Sequence, residues 1–449
     1  MIGTLSESCK RGRALQSWPW HPAAVDPAPL FAGVPRRSLW RHGDFNRLWA
    51  GQTVSVVGSA VTDLALPTLA VLQLHAGPLQ VGLLLACQRF AFPVLSLPVG
   101  ALADRLPRRR MMLGADLARC ALLGLIPLLS ALGVLELWQL FLLATLTGGC
   151  SVVFDLAYLA YLPSLVGRAD LADANARLEF SFSAGSITGP GIGGLLVQAV
   201  GAARAMAVDS LSFLVSAFML LLIGRRETPP PARALPPLHL RQFLSEIGEG
   251  IGAVRHDPLL RTLLLGMGAL IFGVHSTNAV VIVYAYRSLH FSPGTLGAVL
   301  TLTGLGAVLG ASTVGRIRRR FGVGPTVVAT GVLGSLSVAA IPLASLVAPV
   351  AVMALTSVTR GFFGTVNNTT QVTLRQLATP DRLHARMNAV FRTVYWGAWP
   401  LGELTGGALG STVGLVPAIL AGGLFGAAAV ALMLPTAVAR LHDFPQDRA

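Results

Sequence analysis

The chain has 449 residues, of which 53% are hydrophobic and only 12% charged, and its mean hydropathy is +0.66. A water-soluble domain carries about 25% charged residues, so this composition excludes an ordinary soluble enzyme or binding module and points to lipid. The formal net charge of +14 would suit a nucleic-acid binder, but the placement of the arginines excludes that as well.

Residues 1–44 are rich in Pro, Arg and Ala without an apolar core, so they read as a disordered cytoplasmic tail rather than a signal peptide. Twelve apolar stretches follow. In windows of about 19 residues the first six fall at Leu48–Leu74, Leu79–Ala103, Met111–Leu132, Leu137–Pro163, Leu178–Val200 and Ala205–Gly224. The segment 225–260 interrupts them: Pro229, Pro230, Pro231, Pro236 and Pro237 break helix, and Leu240–Val254 reads as an interfacial amphipathic helix. The last six fall at Leu263–Tyr286, Thr295–Gly315, Val323–Leu346, Pro349–Leu374, Met387–Ser411 and Leu415–Ala439, and 441–449 is a second tail. About 20 residues at about 1.5 Å each cross the ~30 Å hydrocarbon core. No ten-residue alternation marks a β-barrel. The expected fold class is an all-α polytopic membrane protein with 12 transmembrane helices as two six-helix bundles, 45–224 and 261–440.

With the N-terminus inside, the arginines fall on one side. Lys10, Arg36, Arg37, Arg41 and Arg47 precede the first span, and Arg105, Arg108, Arg109 and Arg110 follow the second. Later inner loops carry Arg168, Arg225, Arg226, Arg318, Arg319, Arg320 and Arg382, whereas the outer loops hold Arg204 and Arg287. This is the positive-inside bias, and it predicts both termini in the cytoplasm. The basicity is topological, so no nucleic-acid partner is expected. Cys9, Cys87, Cys120 and Cys150 have no metal-ligand spacing, and neither metal nor cofactor is expected.

An offset of roughly 211 residues lays the second half on the first, the internal symmetry of a secondary transporter. Gly100, Asp104, Arg105, Arg108 and Arg109 meet Ala311-Ser-Thr-Val-Gly315-Arg316 through Arg320, each on the short loop after its half's second helix. Gly189-Pro190 with Gly193 and Gly194 meets Trp399-Pro400 with Gly402, Gly406 and Gly407.

Over about residues 45–440 the chain resembles the major facilitator superfamily. The family's loop Gly-x-x-x-Asp-Arg-x-Gly-Arg-Arg is matched at Gly100, Asp104, Arg105, Arg108 and Arg109, with Pro107 in place of the second Gly. Gly185, Gly189, Pro190, Gly193 and Gly194 match a fifth-helix motif that in the family accompanies drug:proton antiporters. The run from Phe154 to Val166, with Ala174-Asn175-Ala176, is similar to the branch holding macrolide and siderophore exporters. The mid-helix arginine that many antiporters carry on the fourth helix is absent from Leu143–Cys150. The resemblance implies a latch at Asp104 and its arginines that ties the bundles in one state and releases them in the other. The alternative is an inner-face anchor with a counter-ion. It also implies that the glycines at 185–194 form a leak-proof seam between the halves, the alternative being a packing kink.

Ionisable residues inside spans are the default functional candidates. On the first, fourth, seventh and tenth helices, which line the cavity in the resembled family, stand Asp63, Asp155, His275 and Arg360, with Asn278, Asn367 and Asn368. A carboxylate such as Asp63 could exchange a proton for a cationic substrate, or simply hydrogen-bond a neighbouring helix. Asp116 and Arg119, three apart, can pair on one face. Arg89, Arg392 and Glu403 stand on helices that meet at the bundle interface in the resembled family, where Arg392 on the inner side and Glu403 on the outer are candidate gate contacts. Asp209 near the outer end of its helix is expected to be solvated.

No His-Glu-x-x-His, Gly-x-Ser-x-Gly or Walker lysine loop is present, so neither an enzyme nor an ATP motor is expected. The expected function is proton-coupled efflux of amphipathic small molecules by alternating access, from a monomer in the plasma membrane. The alternatives are export of a siderophore or endogenous metabolite and, in another class, a non-catalytic receptor or scaffold.

Overall fold

A computed structural model of the chain describes residues 42–103, 105–167, 170–224, 257–379, 383–436 and 438–443, with Leu39, Glu227, Gly252 and Val254. The amphipathic helix expected at Leu240–Val254, most of both tails, and Asp104 lie outside the described residues. Among those described, the secondary structure is helical. The helices are α1 Gly43–Leu72, α2 Pro78–Ala103, α3 Arg108–Ala131, α4 Leu137–Val166, α5 Leu171–Val200, α6 Ala202–Leu221 and α7 Pro258–Arg287. They continue as α8 Pro293–Phe321, α9 Val323–Ala339, α10 Pro349–Leu377, α11 His384–Thr412 and α12 Leu415–Ala431. Among the described residues nine spans are long and apolar enough to cross a membrane, α9 being counted with the turn that follows it to Ser345.

Their limits follow local chemistry. Asp257 caps α7 by accepting from the Leu259 and Leu260 amides at 2.8 and 3.2 Å, with Pro258 at the first helical position. Ser292 and Pro293 open α8 in the same way. Gly201, Gly322 and Gly414, at φ of 88°, 86° and 95°, turn the chain between α5 and α6, α8 and α9, and α11 and α12. Two expected spans are shorter as α-helix. The ninth gives way to a 3₁₀ helix at Ile341–Ser345, where Pro342 supplies no N–H to continue the ladder. The twelfth ends at Ala431 in turns rather than continuing to Ala439.

α1 to α6 pack among themselves, as do α7 to α12. The main contacts between the two sets run along α2 with α11 and α5 with α8. One hydrophobic cluster joins both sets, through Leu69, Val197, Ala205, Val280, Tyr284 and Leu296. Two further clusters stay apart: Phe45, Met112 and Leu165 in the first set, Leu263, Val327 and Phe391 in the second. The shared cluster occupies the end bearing the loops after α1, α5, α7 and α11. The sets are therefore joined at that end, called here the closed end, and carry separate cores at the other. Large exposed apolar side chains such as Leu195, Leu265 and Leu355, each 66% exposed, form the coat that lipid covers.

Candidate functional site

Polar side chains tie the closed end across the two sets. Thr68 shares a hydrogen bond of 2.7 Å with the Tyr286 hydroxyl, and Arg287 donates to the carbonyls of His75 and Ala76 at 2.9 Å. Gln198 accepts from the Gly294 amide at 3.0 Å and from Ser292 at 3.1 Å. Beneath them the backbones touch. A Cβ on Gly194 would lie 2.9 Å from the Gly297 Cα, and one on Gly407 would lie 2.6 Å from the Pro78 carbonyl.

The expected seam of four glycines and Pro190 divides. Gly194 meets α8 of the other set, and a Cβ on Gly191 would lie 2.7 Å from Thr301 there. Gly185, Gly189 and Gly193 instead face Val56, Ala60 and Val61 of α1, so they bring α5 onto α1 inside the first set. The reason is helical spacing: positions four apart share a face, and that face belongs to α1.

A cavity of about 1110 Å³ opens among the first six helices, with Trp399 of α11 in its wall. It exceeds the roughly 300–1,000 Å³ of an ordinary ligand pocket. Asp63, Asp155 and Glu179 bring carboxylates to it, and Phe154, Tyr158, Phe182 and Phe213 bring aromatic surface. Asp63, 54% exposed, accepts from Gln88 at 3.4 Å and lies 3.7 Å from the Arg89 guanidinium. Asp155 is exposed and has no ion-pair partner among the described residues. Asp116 and Arg119 form the expected pair in full burial, with the Arg119 guanidinium 4.5 Å from Phe154 and 4.1 Å from Phe213. Asp209 corrects the expectation of a solvated group. It is 1% exposed because Thr62 of α1 donates to it at 2.5 Å and Ser212 at 2.9 Å.

A second cavity of about 340 Å³ lies among α7 to α11 and is lined by His275, Arg360, Asn367, Asn368 and Tyr395. Asn367 is 5% exposed and spends its amide on the Val327 carbonyl at 2.7 Å, tying α10 to α9. Asn278 lines neither cavity and donates to Glu403 at 3.2 Å.

Between the cavities runs an aromatic ladder that the sequence reading missed. Phe92 stacks on Trp396 at 4.3 Å, and Trp399 stacks on His275 at 4.1 Å. Arg89 sits 4.5 Å from the Trp399 ring centre, and Trp399 donates to Glu403 at 3.2 Å. The available signal was Tyr395, Trp396, Trp399 and Glu403 at helical spacing on α11, beside Arg392.

At the other end, Arg108 donates to the Ala160 carbonyl at 3.1 Å, and Arg109 to those of Leu220 and Leu221 at 2.9 Å. Glu227 accepts from the first amides of α3, on Arg108 and Arg109, at 3.0 and 3.1 Å. Arg105 is exposed, and a side chain on Gly100 would meet open space. These contacts of Arg108 and Arg109 stay within the first set and its linker. Among the described residues no three His, Cys, Asp or Glu side chains group to hold a metal ion.

The sequence profile of the transmembrane secretion effector family matches residues 37–447, and the chain belongs to that family of major facilitator transporters. It is 30% identical to the uncharacterized MFS-type transporter YfiS of Bacillus subtilis over 60% of this chain and 63% of that one, just under two thirds of the relative's length. It is 28% identical to the multidrug efflux pump Tap of Mycolicibacterium fortuitum, over 81% of this chain and 88% of that one. It is also 28% identical to the enterobactin exporter EntS of Salmonella typhi, over 90% of each. A bacterial homologue of the iron transporter ferroportin, solved in an inward-facing state, superposes with a TM-score of 0.69 at 16% identity, over 88% of this chain and 99% of that one. The chain is a multi-pass membrane transporter and not an enzyme.

Proposed function

We propose that this transporter exports amphipathic small molecules by proton-driven alternating access. In this reading the twelve helices span the plasma membrane as two six-helix bundles, α1–α6 and α7–α12, both termini are cytoplasmic, and the monomer is the working unit. The closed end faces outward, so the conformation described is open to the cytoplasm and ready to load. The observation that carries the reading is the 1110 Å³ cavity, lined by carboxylates and aromatic rings and sealed toward one end by backbone contacts between the sets. Carboxylates attract cationic groups, and aromatic faces take flat apolar surface and cations alike. Asp63 and Asp155 contact cargo in the first cavity, and Arg360 and Asn368 line the second. Asp104 with Arg105, Arg108 and Arg109 forms the latch, which closes the open end when the transporter turns outward.

The efflux-pump relative supports multidrug export. The enterobactin exporters, matched over 90% of their length, support a siderophore or endogenous metabolite as the second reading. Transporter-family membership takes the place of the receptor or scaffold reading. Inverted vesicles holding the protein test both readings. An interior made acid should drive accumulation of ethidium, and a protonophore should abolish it. Transport of enterobactin with no transport of ethidium would select the second reading. Accumulation indifferent to the protonophore would overturn proton coupling.

A further inference from the structure

The first cavity offers carboxylates for cargo, but a different carboxylate is placed to hold a proton. Glu403 on α11 is 1% exposed. Its Oε1 accepts from Asn278 and Trp399, each at 3.2 Å, and lies 3.5 Å from His275 Nδ1. Its Oε2 and the His275 Nδ1 are both buried, and neither has a hydrogen-bond partner among the described residues. A buried polar atom without a partner is costly unless it serves a purpose, and here two such atoms belong to facing members of an acid–base pair. Either group can take up a proton and return it with only an O–H or N–H bond made and broken. His275 lines the second cavity, whereas Asp63 and Asp155 line the first.

The charges around the pair are few. Arg89 of α2 lies over the Trp399 ring and also pairs with Asp63 of α1. Arg360 of α10 lines the second cavity together with His275. Arg392 of α11 itself lies 5.3 Å from the Phe92 ring. α12 carries no ionisable side chain.

We infer that His275 and Glu403 form the proton-binding site of this transporter, and that Trp399 and Arg89 transmit its charge state to Asp63 in the cargo cavity. The chain Asp63, Arg89, Trp399, Glu403, His275 links the two cavities through contacts of 3.7, 4.5, 3.2 and 3.5 Å. Trp399 is the middle member: its face meets Arg89 and its N–H meets Glu403. The site also sits at the seam, because the Glu403 carbonyl lies directly against Gly82 of α2. Charge on this pair therefore bears on the helix contact that opens and closes the outer end. The inference rests on the proton-coupled reading for its role, but the site itself is tested without cargo.

The test is pH-difference infrared spectroscopy of the full chain in phosphatidylethanolamine–phosphatidylglycerol vesicles. The wild-type protein should show a carboxylic-acid carbonyl band that titrates and is lost in Glu403→Gln. His275→Gln and Arg89→Gln, which keep Glu403, should each displace its midpoint by about one pH unit, or about tenfold in proton affinity. A band that survives in Glu403→Gln would overturn the assignment. So would a midpoint unmoved in both other variants, which decides the matter even where Glu403→Gln fails to fold. A band lost with Glu403 in a protein whose ethidium transport ignores a pH gradient would uphold the site and overturn proton-driven export.

Discussion

Gly82 and Gly407 meet backbone to backbone: a Cβ placed on either would lie 3.1 Å from the Cα of the other. The same contact recurs between Gly194 and Gly297, at 2.9 and 2.8 Å. The neighbours recur with them. Pro78 and Pro293 open α2 and α8, and the carbonyls of Glu403 and Pro190 press on Gly82 and Gly297. The closed end is thus one contact used twice, related by the sequence repeat. Glycine is required because any side chain would separate helices held at backbone distance.

Enlarging one of these glycines should therefore open the seam. Spin labels at Leu132 and Val347, which are 65% and 80% exposed at the closed end of each set, report the separation in a background without native cysteines. Gly82→Val or Gly297→Val should shift the distance distribution to longer values, because overpacking costs about 1–3 kcal/mol in the closed arrangement only. An unchanged distribution in both variants would show that the glycine contacts do not hold that end shut.

The buried pair of Asp116 and Arg119 should matter for stability more than for transport. Removing one partner leaves a buried charge uncompensated, at a cost of about 3–5 kcal/mol. Arg119→Met alone should lower the melting temperature sharply, and adding Asp116→Asn should recover part of the loss. This is measured by thermal unfolding in detergent. A double variant less stable than both single ones would contradict the pairing.

Asp63 and Arg89 predict the reverse pattern. Their pair is half exposed to the cavity and should be worth no more than about 1 kcal/mol. Asp63→Asn should thus melt within a few degrees of wild type while ethidium binding weakens. Equal losses of stability and binding would assign Asp63 to packing instead.

The fold was legible in sequence wherever the signal was local. The apolar lengths and the i,i+3 spacing of Asp116 and Arg119 each depend on neighbours a few residues away. What failed depended on partners far along the chain. Asp209 lies near a helix end, yet Thr62 of another helix covers it. Asn367 does line the second cavity, but the hold of the Val327 carbonyl on its amide could not be read from its neighbours in sequence. Gly185 and Gly194 belong to one motif, and only the three-dimensional path of α5 sends one to α1 and the other to α8. Glu403 was visible as a charge in a span. Its significance came from His275 and Asn278, more than a hundred positions earlier on α7.

In the conformation described, Arg108 and Arg109 donate to carbonyls of α4 and α6, and Arg105 is exposed. Closing the open end must free some of these donors for the second set, or bring acceptors to Arg105. A carboxylate at Asp104 would orient that exchange, since an arginine beside an acid holds one geometry better than an arginine in water. Asp104→Asn keeps shape and removes charge, so the protein should fold and melt as wild type while ethidium export falls about tenfold or more. Labels on the open-end loops should then report a population that stays open when the closed end is forced apart by Gly82→Val. Normal export by Asp104→Asn would leave the arginines as inner-face anchors and nothing more.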